Sequence, residues 1–385
     1  MKNILIKNVN IVDAKKNICG DVLIKDGKIY SIKNIENIDE NTKIIDGKGF
    51  TLLPSFIDMH THLRDPGYTQ KEDLETGQKA ALKGGYTTLC AMANTDPVCD
   101  NKETIEYVLN KAKELDLCNI IQICAVTKNL EGKEIVNIDE MLSYTKLFSD
   151  DGKTIFDEDI MKKALAFSKD LDFKVLTHCQ PEFKIVDRDL SLLEEVGGNL
   201  HICHISLKKT VERIKEAKNK GLKFTCEVTP HHIFKSDIEY KVNPSFRKKE
   251  DVSALIEGIK EGYIDVIGTD HAPHTKEDKE NGSPGISLIE AAFSMVYKVF
   301  EENNISLNKL SQLMSYNPAQ ILNLNEGLIQ EGYEANLVLV DLQEEYKIET
   351  KKFISKGKNN PFDEELVKGK VKLTIKNGKI LHKDQ

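Results

Sequence analysis

The segment Asp58-Met59-His60-Thr61-His62-Leu63-Arg64-Asp65-Pro66-Gly67 carries the densest chemistry in the chain. It follows an apolar run, residues 51–57, that reads as a buried strand. Side chains alternate along a strand, so His60 and His62 face the same space. Two neutral imidazoles at a strand end make half of a divalent-metal site. Arg64 places a fixed cation just beyond them, in the Asp-Pro-Gly turn.

Further metal-type residues recur at the ends of apolar runs: Asn94, the pair Asp150-Asp151 before Gly152, His178, His204, and Asp270 followed by His271 and His274. Four histidines and two aspartates can hold two metals that share a bridging carboxylate. Zinc suits such a nitrogen-and-oxygen set, and manganese or cobalt could take its place. Taken singly, His178 or His204 could be a hydrogen-bonded core histidine, Asp151 a turn cap, and Asp270 a loop carboxylate. Their joint recurrence at strand ends favours the metal reading. His231 and His232 read as structural or supporting residues, Lys153 as a solvated loop lysine, and Asp58 and Asp65 as local hydrogen-bonding partners.

Those residues need elements to position them. The middle of the chain alternates apolar strands with amphipathic helices. Strands are expected over 52–59, 87–93, 120–126, 145–149, 174–177, 200–203, 223–228 and 264–268. Helices are expected over 73–82, 102–115, 157–168, 208–220 and 251–261. This pattern predicts an α/β fold, a (β/α)8 TIM-type barrel, with its chemistry at the carboxyl ends of the strands. Both ends of the chain read differently. Short alternating segments from Ile4 onward, a strand from Ala335 to Asp341 and a hairpin around Asn377-Gly378 suggest a small β domain built from both termini. The expected division is 1–53 with 330–385 for that β-sandwich, and 54–329 for a metal-dependent catalytic barrel.

Composition bounds the function. The chain has 385 residues, 30% of them charged, with a formal net charge of −8 and no basic stripe, which argues against nucleic acid as a partner. No apolar run is long enough for a bilayer, no signal-peptide core opens the sequence, and the eight cysteines form no C-x-x-C pair. A cytoplasmic protein with buried reduced thiols is expected.

The metal-type segments also carry a family likeness. With them stand Gly84-Gly85-Tyr86-Thr87-Thr88, Ala91-Met92-Ala93-Asn94-Thr95, Ser149-Asp150-Asp151-Gly152, His201-Ile202-Cys203-His204-Ile205-Ser206, Val228-Thr229-Pro230-His231-His232 and Thr269-Asp270-His271-Ala272-Pro273-His274-Thr275. In these motifs the chain resembles the amidohydrolase superfamily and, within it, the class I bacterial dihydroorotases. The resemblance implies one zinc ion on His60, His62 and Asp270, a second on His178 and His204, and Asp151 bridging the two. It implies a substrate site formed by His62, Arg64, Asn94, Asn243, His274, Pro284 and Gly285. Arg64, Asn94 and His274 would hold an α-carboxylate, and Asn243 with the Pro284-Gly285 backbone would contact a pyrimidine ring.

The implied reaction is reversible hydrolysis of (S)-dihydroorotate to N-carbamoyl-L-aspartate in de novo pyrimidine (UMP) biosynthesis. A hydroxide shared by the metals would be the nucleophile, and Asp270 the general acid–base. The rival readings are another cyclic-amide hydrolase, either an allantoinase or a dihydropyrimidinase (hydantoinase), and a non-catalytic scaffold for aspartate transcarbamoylase. The expected partners are the small-molecule substrate, a second copy in a homodimer, and aspartate transcarbamoylase. Several residues depart from the family pattern: Ser55, Gln180, Leu288, Asn336 and a short segment between His178 and His204.

Overall fold

A computed structural model of the chain describes residues 3–33, 35 and 38–384. Met1 and Lys2, which open the N-terminal alternating pattern, lie outside them. The βα middle forms parallel strands in two sheets. One contains Phe56–Thr61, Tyr86–Ala91 and Asn119–Gln122; the other contains Leu147–Ser149, Lys174–Thr177, Leu200–Ile202, Thr225–Val228 and Val266–Ile267. Parallel bridges between Cys124 and Phe148, and between Thr61 and His271, join the sheets at both seams. The strands therefore close in sequence order into the expected barrel, numbered here one to eight.

Local chemistry accounts for the helices around it. Asp73 accepts a hydrogen bond from the Thr76 amide while the Thr76 side chain reaches back, a reciprocal cap that starts the helix Leu74–Lys83. Asn101 caps the helix Lys102–Leu115 in the same position. Gly85, at φ +89°, then turns the chain into strand two; a Cβ there would lie 2.8 Å from the Phe56 ring.

One element differs from expectation. Residues 52–59 do not form a single barrel strand. The chain divides at Ser55 into Thr51–Pro54, which belongs to the terminal sheet, and Phe56–Thr61, which opens the barrel. The hydrogen bonds show why: the Ser55 amide donates to Asn336 O, whereas the next amide, on Phe56, donates to Gly85 O. Both halves are fully buried, so hydrophobicity does not change at the switch. The hydroxyl of Ser55 is satisfied by Thr87 Oγ1 at 2.6 Å.

Both termini build one mixed sheet, in the order Lys379–Lys383, Leu366–Lys376, Leu337–Lys347, Thr51–Pro54, Ile4–Val12, Asn17–Lys25, Lys28–Ile32, with Lys43–Asp46 paired on Ile4–Val12. It encloses a core of its own, including Ile6, Ile11, Val22, Leu337 and Ile375. Val338, Val340 and Val371 instead pack into the barrel's core, so the two layers share buried apolar surface. Asn336 suits its place: its amide nitrogen donates to Glu326, and its oxygen accepts from the Asn377 amide at 2.8 Å. Among the described residues no helix is long and apolar enough to cross a membrane. All eight cysteines are free; seven are buried, while Cys19 is exposed, against expectation, on a strand of the terminal sheet.

Candidate metal centre and active site

Strand one brings His60 and His62 to the carboxyl end of the barrel, with ring centroids 5.3 Å apart. Asp58 secures the strand there. Its carboxylate accepts from the His60 amide (3.1 Å), the Thr269 amide (2.9 Å) and the Thr269 hydroxyl, tying strand one to the segment that carries Asp270. The His62 amide adds a bond to His271 O at 2.9 Å. Asp65 anchors the following turn by accepting from Leu74 N, Tyr107 and Lys111.

The predicted ligand atoms converge. His62 Nε2 lies 3.1 Å from Asp270 Oδ1 and 3.4 Å from Asp151 Oδ2. His60 Nε2 lies 3.4 Å from Asp151 Oδ1 and 3.6 Å from Asp270 Oδ1. His178 Nδ1 and His204 Nε2 are 2.9 Å apart, each 3.3 Å from Asp151 Oδ1. Asp151 thus touches all four histidines. Asp150 turns the other way: it accepts from the amides of Val126 (2.8 Å) and Thr127 (2.9 Å) and from the Thr127 hydroxyl, which fixes the loop that aims Asp151 inward.

The donor set fits a cation. His60 Nε2 is a buried nitrogen with no hydrogen-bond partner, facing two carboxylates. Burial works against charge on His60, yet Asp151 and Glu227 draw its pKa well above the ordinary histidine value. Burial likewise opposes ionisation of Asp151 and Asp270, but the surrounding histidines hold both carboxyls well below the usual carboxylate range. A buried place where positive charge is stabilised from several sides is what a divalent metal requires. Two overlapping triads, His60–His62–Asp270 and His60–Asp151–His204, have ligand atoms close enough to share an ion. Arg64, His204 and Asp270 all have left-handed backbones, at φ 61°, 35° and 49°. Such conformations cost non-glycine residues free energy and persist where surrounding contacts dictate them.

Above the cluster is a cavity of about 220 Å³ lined by Arg64, Asn94, Asn243, His274, Pro284 and Gly285 together with every residue of the cluster except His60. Arg64 Nε donates to Pro273 O at 3.3 Å and Nη2 approaches His274 Nε2 at the same distance. Burial lowers Arg64 to about 10, so it remains a cation, and burial together with Arg64 lowers His274 to about 3, so it remains neutral. Asn94 Oδ1 meets His62 Nδ1 at 2.9 Å, and Asn243 Nδ2 meets His178 Nε2 at 3.1 Å. These asparagines therefore orient two histidines of the cluster as well as line the cavity.

His231 and His232 lie outside the cluster. His232 Nδ1 accepts from the Thr229 hydroxyl at 2.7 Å and its Nε2–H donates to Pro244 O at 3.0 Å, which steadies the loop holding Asn243. Lys153 is exposed. Leu288 is buried, its amide donates to His271 Nδ1 at 3.1 Å, and it is not among the residues that line the cavity. Gln180 is exposed as well.

One buried residue beside the cluster was absent from the sequence expectations. Glu227, on strand seven, places Oε1 2.6 Å from His60 Nδ1, and Oε2 3.3 Å from His201 Nε2. Burial opposes its charge, but His60 and His201 hold it ionised. The one available signal was a glutamate inside the apolar strand Thr225–Val228, a place where an unpaired charge is costly. A larger groove of about 450 Å³, beside Lys83, Glu290 and Tyr346, holds none of these groups.

Known proteins share this architecture. The amidohydrolase family model matches residues 51–381. A dihydroorotase from Clostridium botulinum is 45% identical, with 99% of each chain covered. Those of Caldicellulosiruptor saccharolyticus and Aquifex aeolicus are 38% and 37% identical, covering 99% and 100% of each chain. Among solved structures, an L-hydantoinase (dihydropyrimidinase) from Arthrobacter aurescens superposes with a TM-score of 0.91 over all of this chain and 96% of that one, at 23% identity, a likeness of fold alone. The chain belongs to the amidohydrolase family, among its dihydroorotases, and is a metal-dependent cyclic-amide hydrolase.

Proposed function

We propose that this chain catalyses the reversible hydrolysis of (S)-dihydroorotate to N-carbamoyl-L-aspartate, with residues 54–329 as the catalytic unit and two zinc ions as cofactors. The supporting observation is the meeting, in one cavity, of a six-residue cation-binding cluster and a cationic arginine. His60, His62 and Asp270 would hold one ion, His178 and His204 the other, and Asp151 both. Metals bound there supply Lewis acidity that activates water and polarises the amide carbonyl.

The chain's own groups do the rest. Asp270 is ionised and lies at the cluster's edge toward the cavity, so its carboxylate can take a proton from attacking water and return it to the leaving ring nitrogen. In ring closure the same proton travels back. Arg64 offers a planar fork to the substrate carboxylate, with neutral His274 and Asn94 beside it. Asn243 and the Pro284-Gly285 backbone also line the cavity and would contact the ring. The small cavity suits one ring rather than a larger ligand.

The experiment is a comparison of turnover on dihydroorotate, dihydrouracil and allantoin, alongside metal analysis. Preference for dihydroorotate with about two ions per chain is expected. Preference for dihydrouracil or allantoin would refute the substrate assignment, and full turnover after exhaustive chelation would refute the metal assignment.

A further inference from the structure

We infer that Glu227 is a positioning residue for the metal centre: its carboxylate holds His60 with Nδ1–H directed away from the cluster, so that Nε2 is presented to the cation as a lone pair. This rests on the metal-centre reading above.

The geometry leaves His60 little choice. Its Nδ1 is 2.6 Å from Glu227 Oε1, a hydrogen bond with no room for an ion between the atoms. A carboxylate accepts only, so Nδ1 must carry the proton, and Nε2, which has no hydrogen-bond partner, faces Asp151 and Asp270. A carboxylate behind a ligand histidine fixes its tautomer and raises its basicity. The cluster His60–Cys203–Glu227 is therefore a support rather than another metal site, because Glu227 already spends its oxygens on two imidazoles.

Three further contacts keep Glu227 in place. His201 Nε2 approaches Oε2 at 3.3 Å, and its Nδ1 is matched to Thr225 Oγ1 at 2.7 Å, on the same strand as Glu227. The His204 amide lies 3.4 Å from Oε1, so the one carboxylate touches a ligand residue from each proposed ion. Gly268 faces it from just past strand eight, where an added Cβ would stand 2.6 Å from Oε2, 3.0 Å from Cδ and 3.3 Å from His60 Cβ. The absence of a side chain at Gly268 gives the carboxylate its space, and this observation is independent of the hydrogen bonds.

The test uses Glu227→Gln, which keeps the shape but replaces one acceptor oxygen by a donor, and Gly268→Ala, which crowds the carboxylate without removing it. Zinc affinity is read by competition with a chromophoric chelator, the ligand field by the visible spectrum of the cobalt-loaded protein, and folding by circular dichroism. Both variants should fold yet bind the ion on His60 roughly 10–100-fold more weakly, with an altered cobalt spectrum. In the zinc-loaded wild-type protein, histidine nitrogen NMR should show a proton on His60 Nδ1, a signal missing from His60→Asn. A merely structural glutamate would lower stability but leave affinity and spectrum unchanged, and that result overturns the inference. Should Glu227→Gln fail to fold, Gly268→Ala and the wild-type NMR decide it, and a His60 bound through Nδ1 overturns it. A wild-type chain that takes up no zinc refutes the metal centre itself; a wild-type chain that takes up two ions beside unaffected variants refutes only the role of Glu227.

Discussion

Arg64→Lys tests the substrate assignment most directly. A guanidinium carries five N–H donors. One reaches Pro273 O and one faces His274 Nε2, which sets the plane of the group and leaves its remaining donors for a ligand in the cavity. Lysine keeps the charge but has no fork, so it cannot hold Pro273 O and pair with both carboxylate oxygens. The loss is then one charge-assisted hydrogen bond, about 1.5–3 kcal/mol, or roughly 10–150-fold in kcat/KM for dihydroorotate. Dihydrouracil has the ring without the carboxylate, so its turnover should change by less than about 3-fold, the scale of a small packing adjustment. The assay is steady-state ring opening of both compounds by ultraviolet absorbance, with metal content measured on the same samples. Equal losses on both substrates would show that Arg64 supports the site generally and does not read the carboxylate.

Asp270→Asn should keep most substrate binding but cut turnover at least about 100-fold, as expected when a general acid–base group is lost; near-full turnover with metals bound would refute that role. His178→Ala removes a histidine placed 3.3 Å from Asp151 and should lower bound metal from two ions toward one, read by elemental analysis after gel filtration. Asp189, buried beside Cys179, offers a pH test on a group outside the six-residue cluster. Burial raises it from 3.8 to about 6, although Arg188 opposes the shift. The folded chain therefore holds this proton at a pH where the unfolded chain has released it. The stability from this group is fully present below about pH 4 and falls by up to about 3 kcal/mol as pH rises through 6. Urea unfolding of Asp189→Asn should show a shallower decline over that window than wild type; parallel curves would refute the shift.

Much of the site could be read from residue type and spacing. His60 and His62 share a strand face, and His178, His204 and Asp270 each follow a short apolar run, so a barrel places them at one end whatever its details. Alternation along a strand and the parallel order of βα units are local properties, and they carry this much. Less was legible where two readings had the same local pattern. Residues 51–57 are buried throughout, with apolar residues on both sides of Ser55, so nothing in the pattern marked Ser55 as the point where the chain leaves one sheet for another. Likewise Asp150 and Asp151 are adjacent acids, told apart before folding only by family likeness. The structure separates them because Thr127 and Val126 donate to one and leave the other facing the histidines.

Residue types and their periodicity thus determined the barrel, the terminal β layer and the pool of side chains that form the cluster. Tertiary structure alone decided how those side chains are oriented. Glu227 and His60 are 167 positions apart, and Gly268 reaches their contact from the end of yet another strand. Which partner supports an imidazole depends on strand order and register around the closed barrel, and no local rule of hydrophobic spacing contains that information.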